Sequence, residues 1–327
     1  MPLDQTVLVA MQLLAQHGLQ EPEPSEDAAV YRQRVADAEE QSWPVIGLNG
    51  PEVPIRDVVV ELADYPNVTV RLHYPPGVDP LNASGANLPV VLSFFGGGFR
   101  HGGFDAPGFR EAYKFRAAEA GVIIAAVGYA LAPEHPWPAA AEQGYAALDW
   151  VFQHAEEIGA RPDRIAVAGA SSGGNLAVVS TLINQDRAQH PVAAQVLEVP
   201  ALDLSRGHLD FSMLDELNMD SEAVGQNLLK LVEDYIPDAA SRTHRYASPL
   251  LVEDLSGLPP AYIFTAEYDP LRADGEAYAG RLSQAGVATY CVRNIGQTHT
   301  SGGNLGVSPA ARVASDVIIG IFKKLHD

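Results

Sequence analysis

The stretch from Ile165 to Ala177 constrains this 327-residue chain more than any other. An apolar run, Ile165-Ala166-Val167-Ala168, ends at Gly169. A small-residue turn, Gly169-Ala170-Ser171-Ser172-Gly173, follows, and a helical run begins at once. A strand that turns into a helix this sharply leaves no room for Cβ atoms two positions either side of the apex. That accounts for Gly169 and Gly173. The turn pushes the Ser171 hydroxyl into the open. It also sets the Ser172 backbone N–H at a helix start, where unpaired donors favour a developing negative charge. Five residues of this kind also occur by chance in an ordinary Gly/Ser loop, so the rest of the chain must decide.

The length suits one large α/β domain or two smaller ones, and 47% hydrophobic residues are enough for a large core. Asp and Glu number 41 against 21 Lys plus Arg, a formal net charge of -20. This argues against nucleic acid or an anionic membrane surface as a partner. Cys291 stands alone, so no internal disulfide forms, and its apolar neighbours predict a packed core position. The first residues lack the basic region of a signal peptide, and no apolar run is long enough to span a membrane. A soluble, cytoplasmic protein is expected, with no cofactor and no metal.

Helical periodicity covers Gln5 to His17, with Gly18 as a stop. Pro22 and Pro24 break the chain, and a second helix is expected from Ser25 as N-cap to about Glu40, with a loop from Trp43-Pro44 to Pro54. Arg56–Leu62 and Val68–Tyr74 alternate like an antiparallel pair. After the strand run Pro89–Phe95 and Gly96-Gly97-Gly98, strands and helices take turns: Val122–Val127, Ala139–His154, Arg164–Ala168, Gly173–Asn184 and Ala193–Val199. The pattern resumes with Ala261–Thr265, Leu271–Gln284, Ala288–Arg293 and Pro309–Leu325. Such alternation predicts a mostly parallel sheet with helices on both faces. Residues 203–245 interrupt it with acidic, partly helical sequence (Glu222–Tyr235). The chain therefore reads as one domain, 1–327. Its core is about 51–202 and 246–327, and its helical cap is about 1–50 and 203–245. Met11, Leu14, Met213, Leu214 and Leu217 are candidates for the cap's apolar faces.

Two further residues fall at strand ends. Asp269 follows Ala261–Thr265 and precedes a helix, where it also suits an N-cap. His299 follows the last strand, where a solvated loop histidine would also fit. In an open parallel sheet the crevice beyond the carboxyl ends of the strands collects functional groups. Ser171, Asp269 and His299 all lie there, in the chain order of α/β-hydrolases.

Several longer motifs resemble the hormone-sensitive-lipase-like esterases, the bacterial family IV carboxylesterases, over about residues 85–327. They are Tyr129-Ala130-Leu131-Ala132-Pro133-Glu134-His135-Pro136-Trp137-Pro138-Ala139-Ala140, Ala247-Ser248-Pro249-Leu250 and Asp269-Pro270-Leu271-Arg272. Residues Pro191–Leu204 and Leu258–Val292 are similar to the bacterial heroin esterase subgroup. The resemblance implies an α/β-hydrolase fold, an eight-stranded core under a mobile cap. It also implies an oxyanion hole from the N–H groups of Gly97, Gly98 and Ser172. The departures are local. Phe95 replaces the histidine of the usual His-Gly-Gly-Gly, and so cannot fix the loop by a side-chain hydrogen bond. Ala170 and Ser172 flank the serine, where Asp and Ala are usual. Thr300-Ser301 follows His299, and Ala273-Asp274 stands for Asp-Glu. Arg100 and His101 occupy apolar positions of the family. They are candidate contacts to a polar or anionic substrate, the alternative being a solvated loop, and Phe95 is a further candidate substrate-binding residue.

The expected function is hydrolysis of a small-molecule carboxylic ester through an acyl-serine, with Ser171 as nucleophile, His299 as base and Asp269 orienting it. Two alternatives stand beside it. One is a non-hydrolytic reaction on an acylated substrate, such as carboxylate elimination or cyclisation. The other is a silent ligand-binding protein. A homodimer is left open.

Overall fold

The computed structural model describes residues 2–19, 27–217 and 219–327. Among these residues there are eight strands: β1 (Ile55–Val60), β2 (Val68–His73), β3 (Leu88–Phe94), β4 (Ile123–Gly128), β5 (Ala160–Ala170), β6 (Val192–Glu198), β7 (Ala261–Tyr268) and β8 (Thr289–Thr298). They form one sheet in the order β1-β2-β4-β3-β5-β6-β7-β8. β2 runs antiparallel to both β1 and β4, and every pair from β3 onward is parallel. The helices are α1 (Gln5–Gln16), α2 (Ala28–Ile46), α3 (Pro107–Ala120), α4 (Ala139–Gln153), α5 (Ser172–Asp186), α6 (Ser221–Tyr235), α7 (Arg272–Gln284) and α8 (Pro309–Lys323).

The central strands are apolar on both faces because both faces are covered. Val90, Leu92 and Phe94 of β3 enter a core with residues of α4, α5 and α7. Val91, one residue out of phase, enters a second core with α3 and α8. β4 and β5 split in the same way, with Ile165 and Val167 on one side and Ala166 and Ala168 on the other. This two-sided burial turns the usual alternation into continuous apolar runs.

Some expectations need correction. Helix α3 was not anticipated. Its buried face carries Glu111 and Arg116 beside Tyr113, Ala117 and Ala120, so hydrophobic spacing hides it. Those charges are paired: Arg116 donates to both carboxylate oxygens of Glu198 at 2.7 and 2.9 Å, and Glu111 accepts from Arg110 and the Gly50 N–H. Helix α2 runs on to Ile46, through Trp43-Pro44, because the proline falls in the last turn, and the Gly47 N–H still reaches the Trp43 carbonyl. Its N-cap is Asp27, which accepts from the N–H groups of Ala29 and Val30. Ser25 and the Pro22/Pro24 break lie outside the described residues. Cys291 is exposed rather than packed, because β8 is the last strand of the sheet and lacks a neighbour on one side.

The segments before β1 and between β6 and β7 meet. Met213 and Leu214 are buried with Tyr268, and Leu3, Phe211, Leu217 and Val224 pack against them. Leu14 is half-buried, while Met11 is exposed and forms no part of this face. Among the described residues no helix is long and apolar enough to cross a membrane.

Candidate active site

The turn at the end of β5 is as tight as its glycines imply. A Cβ on Gly169 would collide with the Gly173 carbonyl, and one on Gly173 with the carbonyls of Phe94 and Phe95. Ser171 itself sits at φ 55, ψ -120, a conformation that L-residues rarely adopt. The turn is held from outside. The Ser171 N–H donates to the Glu198 carbonyl at 2.9 Å. Buried Asn175 donates to the Ala201 and Ala247 carbonyls, each at 2.8 Å.

The chain ends of β7 and β8 bring their side chains to this serine. His299 Nε2 lies 3.0 Å from Ser171 Oγ, and His299 Nδ1 lies 2.8 Å from Asp269 Oδ2. Asp269 is 1% exposed, and its other oxygen accepts the Leu271 N–H at 2.9 Å, which fixes the carboxylate plane. Asp269 thus caps its turn and faces the imidazole at the same time. Burial opposes charge on His299, yet the Asp269 carboxylate outweighs it and raises the imidazole above its ordinary value. Ser301 ties down the loop after His299. Its hydroxyl accepts the Thr298 N–H at 3.0 Å and donates to Gln297 Oε1 at 2.9 Å.

The glycine loop faces the same turn. A Cβ on Gly96 would stand 3.0 Å from the Ala170 carbonyl and 3.3 Å from Ser171 Cβ. Gly97, Gly98 and Phe99 follow with φ of 138, 58 and 60. Among the described residues neither the Gly97 nor the Gly98 N–H donates to a backbone carbonyl outside the regular elements. Ser172 opens α5, so its N–H has no partner within the helix. The glycine loop and the start of α5 thus both adjoin Ser171. Gly97→Ala is expected to lower kcat for an ester by about 10²–10³-fold, the cost of a lost oxyanion donor, because the added Cβ meets the His101 carbonyl. Steady-state kinetics beside a thermal melt check this, and an unchanged kcat speaks against a role for the loop.

Phe95, Arg100 and His101 each pack against other parts of the protein. Phe95 is 2% exposed and stacks on Tyr129, with ring centroids 4.1 Å apart. The Tyr129 hydroxyl donates to the Phe95 carbonyl at 2.8 Å. Tyr129 thus anchors the glycine loop by stacking and by this hydrogen bond. Arg100 is not a solvated loop residue: it is buried, and its Nε lies 3.2 Å from Asp234 Oδ2 in α6. His101 packs edge-on against Tyr31, and burial, with Arg100 and Arg32 adding to it, pushes its imidazole down to about 4. The sequence offers no signal for Asp234 or Tyr129 as partners, since both contacts join residues far apart in the chain.

A model of the alpha/beta hydrolase fold matches residues 91–301. The chain is 36% identical over 281 residues to the carboxylesterase NlhH of Mycobacterium tuberculosis, covering 84% of each chain. The structure superposes on a hyperthermophilic esterase from Pyrobaculum calidifontis with a TM-score of 0.84 and 30% identity, covering 100% of this chain and 99% of the other. It also superposes on a bacterial heroin esterase with a TM-score of 0.83 and 29% identity, covering 99% and 98%. With its strand order, its serine turn and these likenesses, the chain belongs to the α/β-hydrolase family, in the hormone-sensitive-lipase-like branch of carboxylic ester hydrolases.

Proposed function

We propose that the protein hydrolyses small-molecule carboxylic esters through an acyl-Ser171 intermediate. The observation that carries this reading is the continuous contact Ser171 Oγ–His299 Nε2–Asp269 Oδ2, at 3.0 and 2.8 Å. His299 takes the Ser171 proton as the oxygen attacks the ester carbonyl, then returns it to the departing alkoxide. Water, deprotonated by the same imidazole, releases the acid. Asp269 holds the tautomer in which Nε2 is the acceptor and stabilises the imidazolium. The N–H groups of Gly97, Gly98 and Ser172 receive the oxyanion. The described parts of the segments of about 1–50 and 203–245 act as the cap over this centre and choose the acyl and alcohol groups. Ser171 and His299 are half-buried, so a small ester still reaches them.

The pH profile tests the base. Below the His299 pKa the imidazole carries a proton and cannot accept another, so kcat/KM should climb with pH through a single acid limb. Its midpoint should lie above the ordinary imidazole value of about 6.5, since Asp269 raises this group. Initial rates of a short-chain aryl ester between about pH 5 and 9 measure it. A flat profile, or a midpoint well below about 6, contradicts His299 as base.

A further inference from the structure

The oxyanion loop does not stand on the core alone, because both segments flanking the site hold it. From α6, Asp234 reaches Arg100, two residues past the glycines, with Nε to Oδ2 at 3.2 Å and side chains 5% and 9% exposed. The neighbouring Tyr235 stacks on Phe99, ring centroids 3.8 Å apart and planes within 4°. A Cβ on Gly98 would stand 2.7 Å from Leu231 Cδ1, one turn back on the same helix. From α2, Arg32 Nε donates to the Arg100 carbonyl at 2.7 Å and an Nη to the Ala132 carbonyl at 2.9 Å. Phe99 has a positive φ of 60, a conformation that a bulky L-residue keeps only when its surroundings impose it.

We propose that Asp234 is a positioning residue for the oxyanion hole: through its buried pair with Arg100, helix α6 holds the Gly97–Gly98 N–H groups in their catalytic geometry. The inference rests on the esterase reading above and adds to it that the α6 helix sets the rate as well as the selectivity. The physics favours a directional role. An ion pair on a loop two residues from the donors fixes orientation, which apolar packing alone does not. Lys230 holds the other Asp234 oxygen at 2.6 Å, so the carboxylate is itself oriented before it meets Arg100. A shift of about 1 Å in a catalytic group costs up to about 10²-fold in rate.

The test compares wild type, Asp234→Asn, Asp234→Glu and the double variant Arg100→Met/Asp234→Leu on one short-chain aryl ester. Each is also titrated with a trifluoromethyl ketone, whose serine adduct carries the oxyanion. Asp234→Asn should lower kcat by about 10- to 100-fold with KM within about threefold. The ketone Ki should rise by the factor that kcat/KM falls, since both report binding of the oxyanion. Asp234→Glu should recover most of the kcat. The double variant leaves no unpaired buried charge, so its melting temperature should return toward wild type while kcat stays low. A kcat restored along with the melting temperature would mean that the pair only stabilises the fold, and overturns the proposal. So does a wild-type kcat in Asp234→Asn, or a change confined to KM. An active wild type with any of these results leaves the esterase reading standing. An inert wild type removes both.

Discussion

Ser171→Ala is expected to lower kcat for a short-chain aryl ester by about 10⁶-fold, and His299→Ala by a similar factor. Among the described residues no second hydroxyl or thiol lies against His299 Nε2, whose recorded partner is Ser171 Oγ at 3.0 Å. In the proposed mechanism, removing Ser171 removes the acyl acceptor beside His299. Without His299 the serine proton has no acceptor. The two losses should not add in the double variant, because the residues act as one unit. The contrast between them also separates chemistries. In a carboxylate elimination, His299 would take a substrate proton and no acyl-serine need form. Ser171→Ala would then keep appreciable turnover while His299→Ala would not. Both variants should fold, since the turn is fixed by Gly169, Gly173 and Asn175 and by the Ser171 backbone, not by its hydroxyl.

Asp269→Asn is expected to cost about 10⁴-fold in kcat while leaving the melting temperature close to wild type. Asp269 Oδ1 accepts the Leu271 N–H, so the amide oxygen of an asparagine must take that place. Its NH₂ then faces His299 Nδ1 and donates to it. The imidazole proton moves to Nε2, where it blocks acceptance of the Ser171 proton. The residual activity should also titrate differently. With the carboxylate gone, only burial acts on His299, and burial disfavours the charged imidazole. The acid limb should therefore shift to lower pH than in wild type. A loss well under 100-fold, or a limb that does not move, would contradict Asp269 as the orienting acid.

How much of this was legible depended on whether a feature is local. The serine turn is local: Gly169 and Gly173 are required by carbonyls a few residues away or on the adjoining strand, and their spacing announces it. Asp269 and His299 are far from Ser171 in the chain. They could be read because a parallel sheet carries its strand ends to one edge, and both follow strands visible as apolar runs. Helix α3 was hidden because its buried face pairs Arg116 with Glu198 in place of apolar packing. Arg100 and His101 looked like substrate contacts since charge in a loop suggests solvent or ligand. Their partners, Asp234 and Tyr31, lie in segments that resemble the family least, so nothing in the local pattern pointed to them. Phe95 looked like a gap in the loop's support. Tyr129 fills it by stacking and by a hydroxyl to the Phe95 carbonyl, a contact between two elements adjacent only in three dimensions.

The central claim is that Ser171 is the group that receives the acyl. Intact-protein mass spectrometry after treatment with an aryl alkylphosphonate ester, followed by peptide mapping, tests it most directly. Wild type should gain one phosphonyl group, on the peptide carrying Ser171, and lose esterase activity in step with labelling. Ser171→Ala should gain none under the same conditions. An unlabelled wild type that still turns over esters, or a Ser171→Ala variant that labels as fast as wild type, would contradict the account.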